Sequence, residues 1–380
     1  MDRMKQSIKK KYGNENYRNI EKALQTKNKD IHDFCLKNDC SAFSDIFGTR
    51  VEHSWETLSY CMEQNSIELL TYKNTLYIRN TDIPVLKTAL ESIKDVKFSV
   101  GEKELFDFIK NLGYTAMAND RTILDGKELD IYVPEKKVAV EFDGLRWHSI
   151  QFKSNSHYHL EKTEVCERKG IRLIHIFEDE WITKRPIVES IVRSALGLYN
   201  ERIYARECTV QEVDMETFRS FCEQNHIQGS CPSSIRLGLF YKGTLVQTAG
   251  FSKSRFHKEY EWELVRMCTK LDTQVIGGFS RLMSHFGKDC ISYVDRRLFN
   301  GKGYESSGFH VIGQNPPSFY YTKGLSRFYR MNFTKKEIAR KFPDRYEESL
   351  TEEQNMAKLG FYRIYDCGTM KVAYTASRKN

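Results

Sequence analysis

Asp130 and Glu141 stand in two short runs of alternating residues, Glu128–Val133 and Val138–Phe142, joined by a turn-forming Pro-Glu-Lys-Lys stretch at Pro134–Lys137. Side chains alternate across a strand, so Leu129, Ile131 and Val133 can enter a core while Asp130 and Tyr132 face away. In the second run Val138, Val140 and Phe142 share one face and leave Glu141 on the other. A hairpin in simple register puts both carboxylates on one side of one sheet, where they repel unless a cation or proton lies between them. A hard divalent ion such as Mg²⁺ suits that position, and it polarises a phosphodiester and activates water. His148 follows closely, after the turn Asp143-Gly144-Leu145-Arg146-Trp147, and titrates near neutrality as a general base or acid should.

Three further groups can converge there. His159, Lys162 and Cys166 are spaced i, i+3 and i+7, hence on one helical face, so His159 and Lys162 can reach one phosphate. Glu102, opening a helix, can orient His148 or a metal-bound water. The elements that must position these groups follow from periodicity. A helix runs from Glu102 through Leu105, Phe106, Ile109 and Leu112 to a stop at Gly113, and the hairpin follows. Then come a helix over His157–Lys169 ended by Gly170, an apolar strand over Ile171–Phe177 and a helix over Pro186–Leu196, giving the order αββαβα. Taken singly, each group has a plainer account: exposed carboxylates on a half-solvated sheet, a packed loop histidine beside Trp147, a wet helix face.

Together, Glu-x-x-Leu at Glu102, Leu-Asp-Ile-Tyr at Leu129, Glu-Phe-Asp-Gly-x-x-Trp-His at Glu141, Tyr-His-Leu-x-Lys-Thr at Tyr158 and the segment Gly170–Trp181 resemble Hef-like phage homing endonucleases. Those belong with the EDxHD and very-short-patch-repair nucleases of the PD-(D/E)xK superfamily. The resemblance implies a restriction-endonuclease-like core that cuts double-stranded DNA, by nicking or double-strand cleavage, with Mg²⁺ or Mn²⁺. It implies a metal held by Asp130 with the Phe142 backbone carbonyl and Glu141, a catalytic His148, and support from Glu102. The chain departs from the pattern in two places. His159 stands where relatives have an aspartate, and Asp143 stands where the superfamily lysine would be, leaving Lys162 to supply that cation.

Beyond the nuclease-like unit lies a second αβ region. A helix over Met215–Asn225, a hairpin over Leu237–Phe251, a strand over Glu261–Cys268, a Gly277-Gly278 turn into a helix and a strand over Ile291–Asp295 resemble a GNAT acyltransferase fold. A glycine turn feeding a helix N-terminus can bind pyrophosphate, so Gln274, Gly277 and Gly278 are the residues that would take acetyl-CoA if it binds. The family wants Gly-x-Gly or Gly-x-Ala there, and here the glycines are adjacent. Two other readings stand beside the nuclease: an acetyltransferase with DNA-targeting regions, and a catalytically inactive DNA-binding protein.

The expected organisation is an α/β (α+β) multi-domain chain. It has a basic DNA-contact module over 1–50, a small winged-helix-like unit over 51–98, a nuclease domain over 99–200, a GNAT-like mixed-sheet domain over 201–333 and a basic extension over 334–380. Net charge of +8 permits a polyanionic partner, and its distribution points to both ends. Residues 1–30 carry nine Lys/Arg against four acids, and residues 323–345 carry eight against two, with aromatic residues interleaved. DNA-contact candidates are Lys9, Lys10, Lys11 and Tyr12, in a segment similar to short modules of phage homing enzymes, and Arg146, Trp147, Arg296, Arg297, Arg327 and Arg330. No apolar run is long enough to span a bilayer and no apolar stretch follows the lysine-rich N-terminus, so a cytoplasmic phage protein, monomer or dimer, is expected. The ten scattered cysteines read as free thiols; His32, Cys35, Cys40 and His53 could gather round zinc, but their spacing matches no common finger.

Overall fold

A computed structural model describes residues 29–47, 58, 61–62, 65–72, 75–94, 99–150 and 155–376. The chain forms two compact units, Met1–Lys103 and Glu104–Asn380. It is a mixed α/β protein with several sheets. Among the described residues no helix is long and apolar enough to cross a membrane.

In the first unit, β1 (Cys40–Ala42), β2 (Leu70–Tyr72) and β3 (Thr75–Arg79) form a small antiparallel sheet in the order β1-β3-β2. The expected hairpin near Tyr72–Ile78 is the β2–β3 pair, and the Asp82–Lys94 helix follows it. Leu58, Ile78, Leu86 and Leu90 close the core of this unit. Most of the expected basic module, Lys9 to Tyr12 included, lies outside the described residues, as does His53.

The second unit begins within the Val100–Asn111 helix, and its order is αβββαβαα rather than the expected αββαβα: a further strand, Met117–Leu124, precedes the hairpin, and a short helix, Glu178–Thr183, precedes the last one. Strands β4 (Met117–Leu124), β5 (Lys127–Val133), β6 (Val138–Asp143) and β7 (Arg172–Phe177) form one sheet in sequence order, with β6 and β7 parallel. Ile131, Val133, Val138, Val140, Phe142, Ile174 and Ile176 pack on one face against Leu105 and Ile109 of the leading helix and Val188 and Val192 of the Arg185–Leu196 helix. Burial of each such side chain stabilises the fold by about 1.5–3 kcal/mol. The other face takes the Tyr158–Arg168 helix, whose Cys166 packs with Ala139, Leu173 and Leu129. Leu129 thus leaves the face that strict alternation assigns it; the β4–β5 register is irregular between Asp120 and Leu124.

A second sheet has seven strands in the order β15-β19-β14-β12-β11-β10-β9, where β9 is Thr209–Glu212, β10 Ile235–Tyr241, β11 Thr244–Lys253, β12 Trp262–Thr269, β14 Cys290–Asp295, β15 Phe309–Asn315 and β19 Thr369–Tyr374. All its pairs are antiparallel except β12–β14. The crossover between those two runs through β13 (Thr273–Ile276), which pairs with β8 (Glu201–Tyr204), and the Gly278–Phe286 helix. Between β15 and β19 the chain builds a third sheet, β17-β16-β18, from Phe319–Lys323 (β16), Ser326–Tyr329 (β17) and Tyr362–Tyr365 (β18). It packs with the Lys335–Lys341 and Glu352–Lys358 helices around Tyr321, Phe333 and Ile338. The boundary expected at 333/334 therefore does not describe the fold. What reads as a basic extension supplies β18 and the interior strand β19, because Val372 and Ala373 are buried between β14 and β15.

Candidate active site

The β5–β6 ladder runs from Val133–Val138 to Ile131–Val140 and stops there. At the next position the side chains take over. The Asp130 backbone N–H donates to Glu141 Oε1 at 3.2 Å, and the Phe142 N–H donates to Asp130 Oδ2 at 2.8 Å. Asp130 and Glu141 are thus cross-strand neighbours. The cation expected between carboxylates comes from the protein itself: Lys162, on the Tyr158–Arg168 helix, donates to Glu141 Oε2 in a buried ion pair. Burial works against the charge on Lys162, but the carboxylates of Glu141 and Asp130 outweigh it and hold the ammonium above its ordinary range. Glu141, expected to ligate a metal, spends one oxygen on Lys162 and the other on a backbone N–H. The Phe142 carbonyl accepts from Gly144 N at 3.0 Å and closes the turn that follows.

That turn carries His148 inward. Leu145 N donates to Glu178 Oε2 at 3.0 Å, His148 N to the Gly144 carbonyl at 3.0 Å, and Ile150 N to the Arg363 carbonyl at 2.8 Å. His148 then meets Asp143 and His159: its Nδ1 lies 3.2 Å from Asp143 Oδ1 and 2.9 Å from His159 Nε2. His159 Nε2 is 3.5 Å from the same Asp143 oxygen, and its Nδ1 faces the Tyr365 carbonyl at 2.6 Å. The other Asp143 oxygen takes His175 Nδ1 at 3.1 Å, and Thr163 Oγ1 sits 3.0 Å from His175 Nε2. Asp143 and His175 are wholly buried, whereas the His148 side chain keeps 16% of its surface exposed. Only His148 of this group opens to solvent to that extent.

Charge in the cluster follows from these neighbours. Burial disfavours ionised Asp143, but the three imidazoles outweigh it and hold the carboxyl well below its usual range. Burial pushes His159 down to about 4, which keeps it neutral at pH 7. For His175 burial acts the same way, yet Cys367 and Asp143 more than offset it and raise the imidazole. Tyr158 links the two clusters, since its hydroxyl feels Lys162, Glu141, Asp143 and Asp130, and its ring lies 6.0 Å from that of His148.

His175 is the residue that sequence reasoning missed. It sits inside a run otherwise apolar, and the available signal was parity: in the parallel β6–β7 pair it lies beside Glu141, on the same face. Glu102, expected at His148, falls in the first unit. There it forms a capping box with Ser99, each backbone N–H donating to the other side chain at 3.3 Å.

Two expected DNA contacts are corrected outright. Arg296 is buried on Glu164, Glu167 and Gln314, and Arg297 is buried with a forked bond to Glu180 and a further one to the His175 carbonyl. Arg327 is likewise bound inward, to Asp179 and Glu180, with its guanidinium over the rings of Phe177 and Tyr320. Arg297 and Arg327 neutralise the buried Glu180, and Arg296 is held under the part-exposed Glu164 and Glu167, so their guanidinium groups are committed to acids of the fold. Arg146, Trp147 and Arg330 do reach the surface, Arg146 over the Trp147 ring and Arg330 over that of Phe319.

Away from this site, β12 and β14 pair only from Trp262–Leu264 to Cys290–Ser292. A cleft of about 810 Å³ lies along them, lined by Gln247, Arg266, Gln274, Gly277, Gly278 and Tyr304 among others. Gly277 takes a left-handed φ of 75°, which favours glycine, and a Cβ on Gly278 would lie 2.7 Å from Val275 Cγ1 and 3.0 Å from its Cβ, so the packing of the turn leaves little room for a side chain there.

No family model and no curated protein matches the chain. Among solved structures, an aminoglycoside 6'-acetyltransferase type Ii is similar over 45% of this chain and 99% of its own, at 11% identity and a TM-score of 0.26, a likeness too loose to speak for chemistry.

Proposed function

We propose that the β4–β7 unit hydrolyses a phosphodiester bond of double-stranded DNA with Mg²⁺ or Mn²⁺. One observation carries the reading: where the β5–β6 ladder stops, Asp130 lies across from the buried Glu141–Lys162 pair. The same sheet face holds the Asp143 histidine cluster, with part-exposed His148. Asp130 and the Phe142 carbonyl are hard oxygen donors and fit such an ion, which takes few carboxylates and completes its shell with water and phosphate. Bound there, it would polarise the phosphodiester and lower the pKa of a water. Glu141 holds Lys162 beside Asp130, as a fixed positive charge for a phosphate oxygen. Asp143 and His159 orient His148, whose outer nitrogen can exchange a proton with water or the leaving oxygen. Exposed Arg146 and Trp147, beside that mouth in sequence, suit a phosphate and a base.

The test is supercoiled plasmid incubated with purified protein across a salt series, with Mg²⁺ and with chelator. Nicked or linear product is expected only with the metal, and it should vanish in Asp130→Ala and His148→Ala. Equal cutting by the variants, or no cutting at any salt, contradicts the reading.

A second reading, that the β12–β14 cleft binds an acyl-CoA, is favoured by the Gly277–Gly278 turn feeding a helix into it, with the buried Gln247 oxygen unpartnered nearby. Calorimetry with acetyl-CoA decides it: saturable heat supports binding, and none contradicts it.

A further inference from the structure

We propose that Asp143, His148 and His159 form a site for a borderline transition-metal ion such as Zn²⁺, separate from the oxygen donors at Asp130. It does not depend on the hydrolytic reading.

The first support is a triangle of ligand atoms. Asp143 Oδ1, His148 Nδ1 and His159 Nε2 are 3.2, 2.9 and 3.5 Å apart. A tetrahedral Zn²⁺ with bonds of about 2.0–2.1 Å spaces its ligand atoms about 3.3 Å apart. The three observed edges bracket that figure. Proton bookkeeping is the second support. His159 Nδ1 faces the Tyr365 carbonyl, so it carries the proton and Nε2 presents a lone pair to the triangle. Without an ion, a single proton on His148 Nδ1 would have to serve both that lone pair and the Asp143 oxygen. One cation satisfies all three.

The surroundings are those of a held ligand set. The Tyr365 carbonyl fixes the His159 ring, and His175, itself backed by Thr163, holds the second Asp143 oxygen. Partners of this kind orient metal-binding histidines and carboxylates. Two imidazoles and one carboxylate favour Zn²⁺ over Mg²⁺. Among the described residues, Asp143, His159 and His175 are also a group whose ligand atoms all lie within 4.8 Å of one another. The fourth ligand, water or a phosphate oxygen, enters past part-exposed His148. With Nδ1 bound, the outer nitrogen of His148 would carry a proton and act as a hydrogen-bond donor.

The experiment uses full-length protein stripped with chelator and titrated with Co²⁺, whose tetrahedral complexes absorb strongly in the visible. One equivalent is expected to produce that absorption, and Zn²⁺ should displace it. Asp130→Asn should keep it, while His148→Gln and His159→Gln should each weaken binding by roughly 100-fold or more. His148→Gln, in a part-exposed turn, serves as the variant least able to unfold the protein, and its circular dichroism is compared with wild type. Absence of the tetrahedral spectrum in the folded wild type overturns the inference, as does undiminished binding in folded His148→Gln. Both outcomes are readable whether or not the protein cuts DNA.

Discussion

Residue by residue, the site depends on compensated charge. Glu141 and Lys162 are both buried, and removing one partner strands the other, a loss of about 3–5 kcal/mol. Lys162→Met should therefore lower the urea midpoint sharply, while the Glu141→Gln/Lys162→Met double variant recovers much of the loss. Equal destabilisation by both would show that the pair is not what holds the helix to the sheet. A different burial makes stability depend on pH. His226, in the second unit, is pushed down to about 3 by burial and by the Arg266 and Lys184 charges, so the folded protein keeps it neutral where the unfolded chain protonates it. Its contribution is complete above pH 6.5 and is lost as pH falls from there toward 3. His226→Asn should flatten the decline in melting temperature over that range; an unchanged profile would remove His226 as a cause.

At the scale of elements, alternation made the carboxylate hairpin legible, because period-two patterning fixes which residues share a face. Helical spacing likewise put His159 and Lys162 on one face, but not that this face is buried against the sheet. Parity within the apolar β7 run held His175, but without the parallel register there was no face to assign it to. The arginines show the converse. Arg296 and Arg297 read as surface because the acids that they hydrogen-bond, Glu164, Glu167 and Glu180, stand 117 to 132 residues away in sequence and only folding brings them together. The two kinds of arginine should separate by experiment. Arg297→Ala breaks a buried fork and should cost about 3–5 kcal/mol of stability. Arg146→Ala should leave the melting temperature within a degree or two, weaken DNA binding and reduce the salt slope by about 1. A destabilised Arg146 variant with unchanged DNA affinity would reverse that assignment.

Across the molecule, the second unit is closed by its last strand. β19 lies between β14 and β15, and the chain that reaches it first builds the β16–β18 sheet, whose last residue, Tyr365, faces its carbonyl to His159. The sequence of that stretch, rich in Lys and Arg, concealed a packed module because its core is drawn from aromatic residues scattered among the charges, such as Tyr321, Phe333 and Phe361. A chain ended after Phe333 should fail to fold, seen as a lost cooperative transition; a cooperative, soluble truncation would contradict the topology. The central claim, that Asp130 serves phosphodiester hydrolysis, is tested most directly by single-turnover cleavage of DNA in Mg²⁺ by wild type and Asp130→Asn, at matched melting temperature. The account predicts a rate at least about 100-fold lower for the variant, on the scale of losing one electrostatic group at a reacting centre. Equal rates from two equally folded proteins would contradict it.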